Sequence, residues 1–395
     1  MLKRASEVSY RGFIVLLCYV YATLRGRASG HIDTKKVGSL MVLSLAQLGD
    51  TVSMTPIFHQ VKAGLPQARV LVAAKPGYRD LLAYNNDIDE FVPFEEGQFW
   101  RFLRAVRRLK IDVAILPQAS FLALAALYLA GVRHIIAIRV VYEADAGVSS
   151  FDTLHNTLSY RMLCPLVTTL PLRVGYNMLD EHLTLLRPLG IVSTDTTRRL
   201  GHSAEAGEQA MVYLKERGVA AEDFVAMIFP ASGNKAKNWV AERFAEVALH
   251  LHNMYGAKVV VIGGPGDTVE VSELMGAMPT SVVAIDASGA HHLDMLKALI
   301  ARANLFISAD AGPMHIAVAF GVPTIDILGP APDWVAPKAK FVRAVSNRGD
   351  AEPAMHPLRN REFDFAEARR QAEAITAAQV IAAVDELLAA NAISS

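Results

Sequence analysis

The sequence predicts an α/β protein with two doubly wound parallel-sheet domains, and three observations carry this prediction. The chain has 395 residues, which is more than one ordinary hydrophobic core accommodates and suits two domains. Short continuous apolar runs alternate with helical patterns, which is typical of parallel strands covered by helices on both faces. The alternating series stops at a polar stretch and then begins again, which indicates a second domain of the same class.

The first series begins after Lys36. From Phe151 to Gly190 the pattern becomes helical, with few strand signals. The apolar run 121–132 is short and flanked by strands, and it therefore predicts a core helix, because a bilayer span needs about 20 apolar residues. The predicted strands are 37–46, 68–75, 90–94, 112–117 and 134–138, with helical stretches such as 51–64 and 97–110 between them.

A polar stretch at 193–208 marks the predicted domain junction, after which the second series begins. It ends in an alanine-rich amphipathic helix within 365–391. The second set of predicted strands is 223–230, 257–264, 281–285, 304–310 and 323–330. The expected organisation is an N-terminal extension (1–35), a first domain (36–195), a second domain (196–362) and a C-terminal helix (363–395).

The N-terminal extension carries thirteen mostly apolar residues, Gly12 to Leu24, between basic flanks. This run is short for a membrane span. Arg25 and Arg27 stand where a signal peptide would have small residues before its cleavage site. We interpret the segment as a helix lying in a membrane surface, with its basic residues near anionic headgroups. A helix packed on the protein's own core is the main alternative, and a signal or a true span is another.

The composition excludes several classes of function. The chain has 39 basic and 39 acidic residues, so it has no excess of positive charge, and we do not expect it to bind nucleic acid. The two cysteines, Cys18 and Cys164, are too few for a disulfide framework or a cysteine-ligated metal site. So low a cysteine content favours a reducing compartment. Asp87 and Asp89 have a spacing that some enzymes use to hold a metal ion, but they precede a short strand and are interpreted as a solvated loop. No metal site and no cofactor are predicted.

Four strand-to-helix turns could carry chemistry, and the first follows the strand at 37–46. Gly49 permits close approach of another backbone. Asp50 stands at or near the start of a helix, where a carboxylate accepts backbone N–H bonds. The same position suits a general base, because the side chain would project from the end of a strand. Both interpretations remain open at this stage.

The second turn, 229–239, follows another predicted strand. Ser232 and Gly233 form a small polar loop before Lys235 and Lys237. Exposed amides, a hydroxyl and an ammonium group are what a phosphate or diphosphate requires. A solvated lysine pair is the alternative.

The third turn, 262–268, places glycines directly after a strand. Gly264 allows a ligand to approach the backbone, and Asp267 could bind the vicinal hydroxyls of a ribose. Gly264 and Gly266 lack the third glycine of the dinucleotide fingerprint, which argues against a nicotinamide enzyme.

The fourth turn, 308–315, joins a buried strand to a helix of small residues. Gly312 carries no side chain, and Pro313 fits the first helical turn. The N–H groups of that turn can hold an anion, with His315 one turn deeper. Asp310 is expected either to cap the helix or to hold sugar hydroxyls. The turns 262–268 and 308–315 each combine glycine with an acid, and this combination favours a sugar nucleotide as the ligand over a plain anion.

These motifs together resemble glycosyltransferase family nine, the heptosyltransferases of lipopolysaccharide core assembly. The resemblance runs in order from about Lys36 to Pro330. It is carried by "LSLAQLGDTVSMTPIFHQVKAGLPQARVLVAAKPGY", "DEHLTLLRPLGI", "FPASGNKAKNW", "IGGPGD" and "SADAGPMHIAVAFGVPTIDILGP".

The resemblance implies a GT-B fold, in which two Rossmann-like domains face a central cleft, with the acceptor in the first and the nucleotide in the second. It implies inverting, metal-independent sugar transfer from a nucleotide diphosphate donor, ADP-heptose being favoured, to a lipid-linked glycan such as lipopolysaccharide core. Asp50 matches the proposed base, Lys237 the lysine on the diphosphate, and Asp267 an acid on the ribose. The expected donor-binding residues are Ser232, Gly233, Lys237, Gly264, Asp267, Asp310, Ala311, Gly312 and His315, and the expected acceptor-binding residues are Gly49 and Thr51.

One position departs from the family pattern. The family has Thr where this chain has Ala311, so that one hydroxyl donor is missing, at a cost of about 1.5–3 kcal/mol unless another donor replaces it. Ala311 leaves a donor sugar other than heptose open and keeps a non-catalytic nucleotide-sugar-binding protein as an alternative. A GT-B sugar-nucleotide epimerase is a further alternative, because the same fold also serves such enzymes. The expected location is cytoplasmic, at the inner face of the cytoplasmic membrane if the N-terminal helix binds lipid.

Overall fold

The computed structural model describes residues 2–141, 156–289, 291–355 and 363–392, and the chain forms two compact units. The first unit contains residues 1–46, 54–79 and 85–196. The second contains residues 47–53, 80–84 and 197–395. The short segment 47–53 follows the first strand along the chain but makes its contacts within the second unit.

The first unit is built on a six-stranded parallel sheet in the order β3-β2-β1-β4-β5-β6. Every predicted strand of the first series is present. The order reverses between β1 and β4, as in a doubly wound fold. The strands are β1 (Ser39–Ser44), β2 (Arg69–Ala74), β3 (Glu90–Pro93), β4 (Val113–Leu116), β5 (His134–Val141) and β6 (Thr168–Arg173).

The second unit repeats this topology with the order β12-β11-β10-β7-β8-β9, again with all strands parallel. Here the order reverses between β7 and β10, so that the turns following these two strands lie side by side. The strands are β7 (Val225–Phe229), β8 (Lys258–Val261), β9 (Ala284–Asp286), β10 (Leu305–Ala309), β11 (Thr324–Ile327) and β12 (Val342–Val345).

Helices cover both sheets. Their bounds are α1 (Leu2–Arg25), α2 (Leu48–Ser53), α3 (Thr55–Gly64), α4 (Arg79–Leu82), α5 (Phe99–Leu109), α6 (Phe121–Ala130), α7 (Leu158–Leu163), α8 (Met178–Leu183), α9 (Ala204–Lys215), α10 (Ala241–Tyr255), α11 (Thr268–Ala277), α12 (Leu293–Ala301), α13 (Gly312–Ala319), α14 (Phe365–Ala374) and α15 (Ala377–Ala392).

The sequence prediction was wrong about two strands, and both lie at sheet edges. The region 151–190 was expected to be helical, yet β6 pairs with β5 there and carries Pro171. An edge strand tolerates a proline, because one side of its backbone needs no partner. At the edge of the second sheet, β12 pairs with β11 alone. Edge strands bury less apolar surface, and their hydrophobic signal is correspondingly weak.

Two predicted helices are each divided in two. The stretch 51–64 contains the end of α2 and all of α3, which begins at Thr55 with Pro56 in its first turn. The C-terminal helix is interrupted at Ile375, whose side chain is fully buried. The Thr376 hydroxyl then accepts the N–H of Gln379 as the chain enters α15.

The core helix predicted from the apolar run 121–132 is confirmed as α6, in which Ala123 to Leu127 are fully buried. Residues that favour helix ends stand at both ends of α6. The Ser120 hydroxyl accepts the Ala123 N–H at the start, and Gly131 ends the helix with φ 93°. The inner side of α1 packs into the same core through Ile14, Val15 and Cys18. By length and composition, residues 7–25 also suffice to cross a membrane.

Candidate active site

The candidate site lies in the second unit, where β7 and β10 end. The loop after β7 contains Lys237, and Asp310 follows β10 directly. The Lys237 ammonium group donates hydrogen bonds to the main-chain oxygen and to Oδ2 of Asp310, each at 2.9 Å. The ion pair joins two turns that lie 73 residues apart in the sequence.

Asp310 binds Lys237 and does not cap the following helix. Ala311 occupies the N-cap position of α13, and no side chain there accepts a hydrogen bond from the helix. Burial alone would raise the pKa of Asp310, but the Lys237 ammonium outweighs it and holds the pKa below its usual range. The first turn of α13 therefore presents uncapped amides beside a carboxylate already neutralised by an ammonium group.

The loop after β7 is held by its own polar groups. The Ser232 hydroxyl lies 2.5 Å from the Asn234 oxygen and 2.9 Å from Asn238 Oδ1, and Asn234 accepts the Ala236 N–H. Gly233 is exposed, and a methyl group added there would meet nothing within 4 Å. Ser232 thus fixes the loop, while the backbone at Gly233 stays open to approach.

The turn after β8 carries Asp267 and Gly264. Asp267 precedes α11, and its Oδ2 accepts the Gly264 N–H at 2.8 Å. Glu270, in the first turn of α11, accepts a hydrogen bond from Asn238 at 3.2 Å and lies 3.4 Å from the Lys235 ammonium. Sequence reasoning missed Glu270, although an acid in a first helical turn three residues after Asp267 was a usable signal.

The first turns of α2 and α13 are in direct contact within the second unit. A methyl group added to Gly49 would lie 2.5 Å from Cδ2 of His315, and one added to Gly312 would lie 2.8 Å from Cδ2 of Leu48. Both distances are too short for carbon atoms. The two predicted glycines therefore permit a close approach between segments that lie far apart in the sequence, and a larger residue at either position would separate them.

Asp50 lies in the first turn of α2, immediately after this contact. It is exposed, and its Oδ2 accepts the Gln47 N–H at 3.3 Å. Asp50 is the third residue of α2 and not its N-cap, but its carboxylate accepts a backbone N–H as expected, and its exposure leaves it accessible. Thr51, in contrast, is fully buried and donates its hydroxyl to Gln47 O at 3.0 Å, so that its side chain faces the interior.

His315 is a neutral imidazole with a defined tautomer. Burial lowers its pKa to about 3, and the Arg198 guanidinium acts in the same direction. Ser53 Oγ lies 3.3 Å from His315 Nδ1, and Nε and Nη2 of Arg198 each donate to Ser53 Oγ at 3.4 Å. Because a guanidinium only donates, the Ser53 hydroxyl proton is directed to Nδ1. The proton of the neutral ring is then on Nε2, which lies 3.9 Å from Asp310 Oδ1.

Two buried polar residues of this region were missed by sequence reasoning. Arg198 falls in the polar stretch assigned to the domain junction, yet it is only 7% exposed, and burial lowers its pKa to about 10. Asp326, on β11, is fully buried, and neither carboxyl oxygen has a hydrogen-bond partner among the described residues. Burial and the nearby Asp310 raise the pKa of Asp326 well above its ordinary value. The single acid within an apolar strand was the available signal.

The carboxylates with metal-like spacing are engaged in structural contacts. Asp87 lies 3.3 Å from Nδ1 of His59, and Asp89 accepts hydrogen bonds from the Lys62 ammonium and from Val70 N–H. The segment is a loop, as expected, and Asp89 is exposed, whereas the Asp87 side chain is only 15% exposed and both acids make contacts within the first unit. Within the described ranges, no group of three His, Cys, Asp or Glu residues could hold a metal ion.

Chemically, this arrangement suits an anionic leaving group and a hydroxyl nucleophile. Uncapped helix amides and the Lys237 ammonium can stabilise the negative charge of a diphosphate. The exposed Asp50 carboxylate can accept a proton. His315 offers one N–H donor that stays neutral through the physiological pH range.

Comparison with known proteins agrees with these features. The model of glycosyltransferase family 9 (heptosyltransferase) matches residues 159–360, just over half of the chain. The lipopolysaccharide heptosyltransferase 3 of Escherichia coli is 26% identical over 359 residues, which are 86% of this chain and 96% of that protein. The lipopolysaccharide heptosyltransferase 2 of Escherichia coli is 24% identical over 340 residues, covering 80% and 92% of the two chains.

A solved structure extends the comparison to the fold. The Escherichia coli ADP-heptose lipopolysaccharide heptosyltransferase II superimposes with a TM-score of 0.67 at 19% identity, covering 89% of this chain and 99% of the other. The two six-stranded parallel sheets and this likeness confirm the expected GT-B fold. Because the family model covers more than half of the chain, including the turns after β7, β8 and β10, the chain belongs to glycosyltransferase family 9 and is a glycosyltransferase.

Proposed function

We propose that this glycosyltransferase transfers heptose from ADP-heptose to a lipid-linked glycan, the core region of lipopolysaccharide, with inversion at the anomeric carbon and without a metal ion. One observation carries the proposal: the Lys237–Asp310 ion pair lies at the uncapped start of α13, whose first turn contacts the turn that bears Asp50. The proposed diphosphate site and the proposed base thus lie within one compact unit.

The donor half of the proposal rests on the charge of the leaving group. Negative charge accumulates on ADP as the glycosidic bond breaks. The amides that follow Ala311, together with Lys237, are placed to balance that charge, in a site where burial strengthens each electrostatic interaction. Gly233 allows the loop after β7 to approach the diphosphate, and Asp267 and Glu270 lie at the neighbouring turn.

The acceptor half rests on Asp50. Its exposed carboxylate removes the proton of the attacking acceptor hydroxyl, and the hydroxyl oxygen then attacks the anomeric carbon from the face opposite ADP. A single displacement of this kind inverts the anomeric centre. The neutral His315 donates a hydrogen bond from Nε2 to a substrate oxygen near Asp310, and does so without adding charge.

The assignment of heptose, ADP and lipopolysaccharide draws on the names of the relatives. Two relatives are named lipopolysaccharide heptosyltransferases, and the solved structure is named an ADP-heptose lipopolysaccharide heptosyltransferase. Ala311 stands where the family pattern has a hydroxyl. The donor is therefore tested first, in a thermal-shift screen with ADP, UDP, GDP and dTDP, because a ligand that binds the native state raises the melting temperature by mass action.

An acceptor that is linked to lipid places the enzyme at a membrane. We accordingly propose a cytoplasmic enzyme that works at the inner face of the cytoplasmic membrane. The first unit is proposed to bind the acceptor glycan and the second to bind the donor.

The decisive experiment measures heptose transfer by the Asp50→Asn variant to a purified core acceptor. A loss of about 100-fold or more in kcat is expected for a missing general base, with ADP binding unchanged. Transfer near the wild-type rate would refute the assignment of Asp50. Incubation with donor alone excludes an epimerase if the sugar is recovered unchanged, and activity that survives EDTA supports metal independence.

A further inference from the structure

The outer face of α1 and α7 is an exposed apolar surface in the first unit. On α1, the exposed aliphatic and aromatic residues recur at helical spacing, and on α7 two apolar residues four positions apart are exposed. The two helices are in contact, because the Tyr19 hydroxyl donates to the main-chain oxygen of Met162 at 2.6 Å. We define this docking face by its exposed residues: Phe13 (52%), Leu16 (61%), Val20 (54%), Leu24 (84%), Leu158 (70%) and Met162 (43%).

The inner side of α1 is firmly part of the first unit. Ile14 and Cys18 are fully buried in the core that α1 shares with α6. At the C-terminal end of α1, Arg25 donates to the Tyr128 main-chain oxygen at 2.7 Å, and the Tyr128 hydroxyl donates to Gly26 O at 2.5 Å. A bilayer-spanning arrangement would remove these groups from the core and expose α6. The helix is therefore held with one side in the protein and the other in solvent.

The helices around the docking face carry almost exclusively positive charge. Residues 7–27, 99–110, 121–130 and 157–166 contain nine basic residues but one acid, Glu7, although the whole chain is neutral. Helix α5 packs on α6, as α1 does, and supplies four of the nine, with Lys110 directly after its end. The nine are Arg11, Arg25, Arg27, Arg101, Arg104, Arg107, Arg108, Lys110 and Arg161.

We propose that the docking face binds an anionic lipid bilayer, with α1 lying in the plane of the interface and the apolar side chains entering the acyl boundary. An in-plane helix of this kind has apolar residues on one face and basic residues along its flanks. Anionic headgroups attract each nearby basic residue. A second copy of the chain fits this face poorly, because a two-fold contact would place the same basic helices near each other. The proposal rests on the proposed action at a membrane and names the surface that serves it.

The test measures flotation of the full chain with phosphatidylcholine vesicles and with vesicles that also contain phosphatidylglycerol. The wild-type chain should float with the anionic vesicles and be released by high salt, because salt screens the attraction. The double variant Leu16→Gln, Val20→Gln should bind about tenfold more weakly or worse, since it loses two large apolar contacts. The double variant Arg104→Gln, Arg108→Gln should weaken binding to the anionic vesicles but leave binding to the phosphatidylcholine vesicles unchanged.

A matched control uses the second unit, where Met211 and Val212 of α9 are 58% and 55% exposed. Met211→Gln with Val212→Gln should leave flotation unchanged. All variants change exposed side chains, and equal melting temperatures would verify that they fold. Transfer to a delipidated, soluble core acceptor should be the same in wild type and variants, so that a failure of membrane docking is distinguished from a failure of the proposed activity.

Four outcomes would overturn the proposal. One is flotation of the Leu16→Gln, Val20→Gln variant at the wild-type level. Another is no flotation of the wild-type chain at low salt. A third is resistance of membrane-bound protein to extraction by alkaline carbonate, which would indicate a spanning helix. The last is an oligomer in solution that the Leu16→Gln, Val20→Gln change dissociates, which would assign the face to a second copy.

Discussion

The hydroxyl oxygen of Ser53 lies 3.3 Å from Nδ1 of His315, a contact between α2 and α13 that joins residues 262 positions apart. Arg198 donates to the same oxygen, so that the Ser53 proton is directed to the imidazole and the ring presents an N–H at Nε2. The contact fixes the orientation of a buried ring at the start of the helix where the donor diphosphate is proposed to bind.

Replacing Ser53→Ala should lower kcat for transfer by about fivefold, because the ring loses the hydrogen bond that sets its tautomer and orientation, worth about 1 kcal/mol. Ser53→Thr keeps the hydroxyl and should retain most of the activity. Steady-state kinetics of both variants provide the measurement. Equal rates for Ser53→Ala and wild type would show that the hydrogen bond between Ser53 and His315 does not contribute to transfer.

The close approach at Gly49 can be tested by Gly49→Ala. Alanine normally stabilises a helix relative to glycine by about 1 kcal/mol, but here the added methyl group would lie 2.5 Å from the His315 ring. The expected result is a loss of about 1–3 kcal/mol of unfolding free energy, as in overpacked cores, together with reduced transfer. Urea unfolding of this variant is compared with that of Gly233→Ala, whose added methyl group meets open space and should cost little. A stabilised, fully active Gly49→Ala protein would contradict the contact.

Lys237 is predicted to hold both Asp310 and the donor. Lys237→Ala removes the partner of a buried carboxylate, and should reduce ADP affinity by about 30-fold or more and lower the melting temperature. Lys235→Ala is the matched control, because its side chain is 72% exposed and its ion pair with Glu270 lies at the surface. Isothermal titration with ADP measures both variants. Similar affinities for the two would remove Lys237 from the diphosphate site.

Asp326 should make the folded state less stable as the pH rises. Its pKa is raised in the folded state, so that the unfolded chain releases this proton near pH 4, its ordinary pKa, while the folded chain still holds it. Stability is therefore lost as the pH increases from about 4 towards the folded pKa, by about 1.4 kcal/mol per pH unit. Asp326→Asn carries no titrating group and should be the more stable protein at pH 7.

The measurement is denaturant unfolding of wild type and Asp326→Asn between pH 4 and pH 8. The stability difference should shrink as the pH approaches 4, where the wild-type carboxyl is protonated in both states. A difference that stays constant over this range would mean that the Asp326 carboxyl does not titrate differently on folding.

The local pattern of apolar runs and glycines was sufficient to predict much of the fold and the turns of the candidate site. Predicted strands such as 68–75 and 304–310 are present because a continuous apolar run is a local property that burial between helices requires. Gly49 and Gly312 were singled out from their positions after strands, and the structure gives their lack of side chain a steric reason. The edge strands β6 and β12 were missed because they bury too few residues to stand out in the sequence.

The sequence by itself determined the two doubly wound sheets, the family resemblance, and the residues that stand at the ends of the strands. Tertiary structure alone decided that Lys237 binds Asp310 and that Ser53 and Arg198 orient His315. It also decided that Asp326 is buried with no hydrogen-bond partner among the described residues. It also decided which side of α1 enters the core and which stays exposed. The physical reason is the range of the interactions. Hydrophobic periodicity acts between near neighbours along the chain, whereas ion pairs, hydrogen bonds between turns and the burial of a single carboxyl depend on packing between distant segments.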